Sequence, residues 1–278
     1  MWRPSARWIR LALVGALLGS TLALNAGCGL TASLNRLRLD YIAQAEVSQA
    51  RDEVATGGDF QHAQELAARA VELDPESLPV VRAAAGVFQR TEAWDRSLQA
   101  LELYQSRTGA VDLYDMGAAC VYSKREAAGT QFLEAYLANN RSLRATGRMD
   151  DEQLSLVLNN VGYTYADAGV NLTHALELTQ EAQRLQPDSP TVADSVAWAS
   201  YRLARYDEAA FYAERATRLQ EPEDATVFYH AGAIHARQGR LILAEHELRR
   251  ALELQPHLPA AQYELQRLRW QLPQPQRV

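Results

Sequence analysis

The residues of this 278-residue chain with chemistry to offer are six histidines, two cysteines and a scattered set of aromatic and arginine side chains. His246-Glu247 begins the H-E-x-x-H pattern of a zinc-hydrolase helix, but Arg250 stands where the second ligand belongs. His230 and His235 are five apart, a spacing that turns them to different faces of a helix. No P-loop, G-x-G-x-x-G or G-x-S-x-G segment supplies a phosphate cradle or an activated serine. These absences point to a non-enzyme without metal or cofactor. Cys120 lies in the apolar run Met116–Val121 and reads as a small buried hydrophobe rather than a redox group. Cys28, behind Leu24-Asn25-Ala26-Gly27, is the residue whose surroundings suggest a modification.

What positions Cys28 is a leader. Arg3, Arg7 and Arg10 are followed by fourteen uncharged residues, Leu11 to Leu24, too few to span a bilayer as a helix but right for a secretory signal. The Ala26-Gly27-Cys28 junction resembles the lipobox of bacterial lipoproteins, in which the cysteine is acylated and becomes the mature N-terminus. Asn25 departs from the aliphatic residue usual there. Two further readings stay open: ordinary cleavage after Ala23 or Ala26, or retention of Leu11–Leu30 as an uncleaved anchor. The lipoprotein resemblance implies a bacterial cell-envelope location, lipid-anchored and facing the periplasm, and Gly29 after the cysteine resembles the pattern that allows sorting to the outer membrane. Without residues 1–27, 25 basic residues face 34 acidic ones, a net charge of −9. Such a body does not neutralise phosphates, so nucleic acid is not an expected partner.

The rest of the chain repeats. A small residue, one position, a large residue and then a small one three further on recur as Gly58…Phe60…Ala63, Ala204…Tyr206…Ala209 and Gly239…Leu241…Ala244, and with Glu92 in the first place as Glu92…Trp94…Ser97. Ala63 to Pro75, Ala175 to Pro187 and Ala244 to Pro256 keep one spacing, with Ala70, Ala182 and Ala251 between them. A period near 34 residues with this pattern resembles the tetratricopeptide repeat (TPR), a helix–turn–helix unit. The last copy carries Phe228, Ala231-Gly232, His235, Ala244 and Leu248 at the motif's positions. The resemblance implies an all-α solenoid, a right-handed superhelix of about six repeats over residues 44–256, degenerate around 77–150. A signal peptide over 1–27, a linker over 28–43, a C-terminal capping helix over 257–272 and a tail over 273–278 complete the organisation. Small residues at Gly162, Ala197 and Gly232 would let the first helix of a repeat (A) approach the second (B). The polar stretch Asn140–Glu152 is expected to lengthen one inter-repeat loop.

In this family helix A lines a concave groove, and that resemblance implies a binding face of Arg82, Gln89, Tyr114, Asn159, Tyr163, Asp194, Trp198, Tyr201, Arg202, Tyr229 and Arg237. Aromatics and arginines are enriched at protein interfaces. The resemblance therefore implies a membrane-tethered scaffold that holds a protein or peptide of a cell-envelope assembly. The competing class is a carbohydrate-binding or enzyme-accessory protein of an exopolysaccharide system, its aromatic groove stacking sugars. Lysines are missing from the groove, which speaks against the lysine-built carboxylate clamp of chaperone-binding members. Metabolic labelling with palmitate is expected to mark the wild-type chain and to be lost in Cys28→Ser; persistent labelling, or a mature N-terminus elsewhere, would show that Cys28 is not the lipidation site.

Overall fold

The computed structural model describes residues 28–269 apart from 220 and 222, with side chains from 33 onward. The expected signal peptide and tail, and residues 270–272 of the expected capping helix, lie outside the described residues. So does the side chain of Cys28. The described residues form thirteen α-helices and no strand. They are α1 (Cys28–Ala55), α2 (Phe60–Leu73), α3 (Leu78–Arg90), α4 (Trp94–Thr108), α5 (Leu113–Tyr122), α6 (Glu126–Ala145), α7 (Asp151–Ala168), α8 (Leu172–Leu185), α9 (Pro190–Arg202), α10 (Tyr206–Leu219), α11 (Ala225–Arg237), α12 (Leu241–Leu254) and α13 (Pro259–Arg269). Odd-numbered α1 to α11 are A helices, each packed on the B helix that follows it, and α13 closes the end against α11 and α12. The chain is thus an all-α solenoid of six helix pairs.

One turn explains the period. After each A helix a residue takes the left-handed backbone: Gly57, Glu92, Lys124, Gly169, Ala204 and Gly239. The N–H of the residue after it reaches the carbonyl five positions back in all six repeats, as in Ala93 to Phe88 (2.8 Å), Arg125 to Cys120 (2.8 Å) and Arg205 to Ser200 (2.9 Å). This pattern satisfies the carbonyls left over at a helix C-terminus while reversing the chain. The fourth turn contains one additional residue, Asn171, also left-handed. At the far end of the B helices, the N–H groups of Asp74, Gln186 and Gln255 close on Ala70, Ala182 and Ala251. The proline that follows each of these caps cannot continue the helix.

The turn delivers a small residue to the point where A and B cross. Ala63, Ser97, Ala175, Ala209 and Ala244 occupy it, each fully buried. In the third repeat the position is held by Gly129, which the alanine rhythm had not disclosed. A Cβ on Gly129 would lie 2.8 Å from the Val121 amide nitrogen and 2.9 Å from the Gly117 carbonyl. On the A side, a Cβ on Gly117, Gly162 or Gly232 would lie 2.6–2.7 Å from side-chain atoms of Leu133, Thr179 or Leu248. Leu, Val and Ala side chains fill the space between successive pairs in a chain of contiguous cores from Ala43 to Leu268. No repeat buries its apolar face alone, which is why they stack.

Two expectations are corrected here. Residues 28–43, expected as a linker, are helical and continuous with the first A helix. No proline or glycine interrupts the chain between Leu30 and Ala55, and Leu, Arg and Ala are good helix formers. The Asn140–Glu152 surplus does not make a long loop. It extends α6 to twenty residues, through Ala145, until left-handed Gly147 stops it, and Asp150 with Gln153 forms a capping box that starts α7.

Glycine packing yields a paired prediction. Gly129→Ala is expected to lower unfolding free energy by about 1–3 kcal/mol, because backbone atoms must move to admit the methyl. Gly86→Ala, mid-helix in α3 with nothing within 4 Å of an added Cβ, should leave stability unchanged or raise it by about 0.5–1 kcal/mol. Denaturant titration followed by circular dichroism checks both, and equal effects would show that the crossing is not the tight point.

Candidate functional site

Successive A helices pack on one another from α5 through α13, and α1 packs on α3, whereas the B helices have no such contact layer of their own. Closer A-to-A spacing places the A helices on the inside of the curve, so residues at equivalent positions form columns along it. Tyr122, Asp167, Arg202 and Arg237 make one column; Tyr114, Asn159, Asp194 and Tyr229 make another; Tyr163 and Trp198 share a third.

The expected groove residues separate into two groups. Arg82, on α3, pairs with Asp112 (2.8 Å) and with Asp115, so its charge is consumed at the junction of the second and third repeats. Tyr114 hydroxyl lies 3.2 Å from Thr164 Oγ1, its ring is 5.5 Å from that of Tyr136, and burial pushes its pKa above the ordinary phenol value. Those two belong to inter-repeat joints, and Gln89 lies with Arg82 on α3, away from the rest. The other eight side chains meet on α7, α9 and α11.

Trp198 is the centre of that cluster. Its ring stacks on His230 (4.0 Å between centroids, 18°) and on Tyr201 (5.0 Å, 14°), with Tyr229 tilted at 5.8 Å. Only 6% of Trp198 is exposed. Asn159 and Asp194 are buried as well. These three, expected to face a ligand, form the floor of the groove: equivalent A-helix positions on neighbouring repeats lie close enough for their side chains to cover one another. Half-buried Tyr163, Tyr201, Arg202 and Tyr229 and exposed Arg237 form its accessible surface. Burial first, then nearby carboxylates, pushes the Tyr163 phenol well above its ordinary range, and burial pushes Tyr229 up to about 12. Both stay neutral hydrogen-bonding groups at physiological pH.

Two residues that sequence reasoning missed hold the floor in place. Asp167 accepts from the Tyr122 hydroxyl at 2.9 Å and from Trp198 Nε1 at 3.3 Å, while its backbone carbonyl accepts from Arg202 at 2.5 Å. It joins the third, fourth and fifth repeats. A glance down its own column would have found it, since Tyr122, Asp167 and Arg202 recur at one repeat position. His230, fully buried, places Nδ1 2.9 Å from the Asp194 carboxylate. No sequence signal marks that pair, because an A helix of one repeat supplies the acid and the next supplies the ring. A second buried pair, His235 with Glu247 at 2.6 Å, ties α11 to α12. The Asp194–His230 pair has two members of a nucleophilic triad, yet no hydroxyl or thiol hydrogen-bonds to His230 among the described residues. No group of three or more metal-ligating side chains converges among them either. Cys120 is buried, and burial raises its thiol above the ordinary value.

The arginines decide the electrostatics. Arg202 donates to a carbonyl and lies 6.0 Å from the Trp198 ring centre; Arg237 donates to the Tyr201 hydroxyl at 3.4 Å. Neither makes a carboxylate ion pair among the described residues. The accessible surface is therefore aromatic with two guanidinium groups that lack a carboxylate ion pair among the described residues.

No protein-family profile matches the chain. A stretch of 78 residues is 37% identical to the TPR repeat-containing protein PA4667 of Pseudomonas aeruginosa; it amounts to 28% of this chain and 13% of that protein. Among solved structures, NprR in complex with its cognate peptide NprX aligns over 96% of this chain and 79% of its own, with TM-score 0.57 and 12% identity. PilW, a type IV pilus biogenesis factor, aligns over 81% of this chain and 98% of its own, with TM-score 0.51 and 14% identity. The chain has the fold of a TPR solenoid: six in-phase helix pairs, the same turn in each, and these likenesses agree.

Removing the Asp167 carboxylate should loosen the floor. Asp167→Ala is expected to cost about 1–3 kcal/mol by leaving the Tyr122 and Trp198 donors unpaired, and Asp167→Asn, which keeps an acceptor, distinctly less. Thermal and denaturant unfolding of the two variants checks the difference; equal losses would mean that the carboxylate bonds are not what holds the three repeats.

Proposed function

We propose that this chain is a non-catalytic scaffold, tethered by lipid at Cys28 in a bacterial envelope and facing the periplasm, whose concave groove over α7, α9 and α11 holds a protein segment during assembly of an envelope machine. The observation that carries this reading is the accessible set Tyr163, Tyr201, Tyr229, Arg202 and Arg237, in which two guanidinium groups lack carboxylate partners. Such arginines bind carboxylates with directional, charge-assisted hydrogen bonds, and tyrosines contribute wide contact area with few rotatable bonds. A segment carrying acidic side chains or a free C-terminus satisfies both. The same fold accommodates a peptide in NprR, and PilW serves pilus biogenesis, which supports the class of function rather than a particular machine. The leader and its Ala26-Gly27-Cys28 junction support the tether and outer-membrane sorting; no described helix is long and apolar enough to cross a membrane. Sugar stacking is less well served, because the Trp198 ring is covered by protein.

The test is capture of partners from detergent-solubilised envelope, identified by mass spectrometry. A double variant, Arg202→Gln with Arg237→Glu, is expected to reduce recovery of the protein partner at least tenfold, a loss of about 1.4 kcal/mol or more, with little change in melting temperature. Equal recovery by a folded double variant would remove the groove from the binding site, and recovery of glycan in place of protein would favour the carbohydrate reading.

A further inference from the structure

The first helix outruns the array to which it belongs. Its buried residues, Ala43, Val47 and Ala50, all lie in its C-terminal half, whereas residues 34–39 are exposed throughout. Four large apolar side chains are exposed within eight positions: Leu34 (51%), Leu37 (67%), Leu39 (41%) and Tyr41 (48%). Elsewhere on the described surface such side chains are dispersed, which is ordinary. Helical geometry sorts the four. Arg36 and Asp40, one turn apart, face the array: Arg36 pairs with Glu76, and Asp40 accepts from the Ser77 hydroxyl at 2.9 Å. Leu34, Leu37 and Tyr41, spaced i, i+3, i+7, run along the opposite side with Arg38 among them. The end of a solenoid normally presents a polar outer face, and this end presents an apolar stripe.

Position, charge and area identify what covers the stripe. The helix is described from residue 28 onward, four positions after the leader's apolar run ends at Leu24. Once residues 1–27 are removed at the tether, residues 28–39 hold two arginines, Arg36 and Arg38, and no acid, whereas from Asp40 onward 23 basic residues face 34 acidic ones, a net charge of −11. Arg36 is taken up by Glu76, so Arg38 is the basic side chain that stands beside the apolar stripe, with no acid before Asp40 to oppose an anionic surface. A second copy fits less well: four half-exposed side chains offer on the order of 400 Å², against about 800 Å² per partner in a stable protein interface. A surface to which the chain is already tethered needs little area, because the tether supplies the effective concentration, and apolar plus basic contacts are the usual second signal beside an anchor.

The geometry points to the N-terminal half of α1 lying on the membrane, with Leu34, Leu37 and Tyr41 at the boundary of headgroups and acyl chains and Arg38 at the phosphates of anionic phospholipid. This rests on the tether reading above. It makes the solenoid leave the membrane by its N-terminal end and puts the groove of α7, α9 and α11 three repeats away from the surface, where a periplasmic segment reaches it.

The full chain, reconstituted into phosphatidylcholine vesicles with or without phosphatidylglycerol, tests this. A fluorophore is attached at Leu37→Cys or, as a reference, at Phe211→Cys, which is exposed on α10, and the signal of the parent chain treated in the same way is subtracted. Lipids spin-labelled near the headgroup should quench position 37 about threefold more than position 211, and Arg38→Glu should reduce that quenching only when phosphatidylglycerol is present. Equal, weak quenching at both positions in a chain that floats with the vesicles overturns the contact and leaves the tether standing. A chain that does not float overturns the tether, and the contact with it. Disulfide cross-linking of Leu37→Cys chains to each other without quenching assigns the stripe to a second copy and overturns the lipid assignment.

Discussion

The close crossing of helix A on helix B is the contact on which the remainder of the molecule depends. At Gly129 and Val121, at Gly162 and Thr179, at Gly232 and Leu248, there is no room for one further carbon atom. The left-handed turn sets the approach, and the small residue three positions into helix B permits it. Because each pair presents apolar faces on both sides once closed, it can only be completed by the next pair, and α13 completes the last. Stacking then repeats a rotation, and the rotation brings A helices together on one side. The groove is a consequence of how tightly two helices cross.

That consequence divides polar residues between two duties. Side chains at neighbouring A-helix positions meet across repeats, so the inner ones pair: buried Asp194 with His230, and half-buried Asp167 with Tyr122 and Trp198. Buried polar groups require such partners, and a network that spans three repeats fixes their relative placement more narrowly than apolar packing alone. The outer ones, Arg202 and Arg237 with the tyrosines beside them, are held by that network and left with unused charge. A firm floor under a rim of arginine and tyrosine suits recognition, since little ordering is left to be done when a segment binds.

The two ends of the solenoid are sealed differently, for physical reasons visible in composition. α13 buries Ala261, Leu265 and Leu268 and turns arginines outward, so the C-terminal end is closed by polar surface. At the N-terminal end α1 extends beyond its repeat with leucines outward and acids absent. An acidic array whose N-terminal end carries an apolar stripe and no acid before Asp40 has a built-in direction relative to a negatively charged surface.

Sequence by itself determined the fold, because the constraint at each crossing is local. Alanine or glycine at a fixed distance from a turn, and proline at a fixed distance beyond, are spacings within one repeat. The third repeat read as degenerate only because Gly129 does the work of alanine. The surplus after Asn140 was legible as length but not as helix, since whether a polar stretch folds back or extends depends on the next capping box. The site was legible as a set of residue types on helix A, and no further. Which of them face solvent was decided by tertiary structure: Trp198, Asn159 and Asp194 are covered, and Arg82 is neutralised by acids of the following repeat. Asp167 and His230 acquire their roles from partners 31 to 45 residues away. Pairing across repeats depends on the angle at which one unit stacks on the next, and that angle is set by the summed packing of both, which no single position in the sequence encodes.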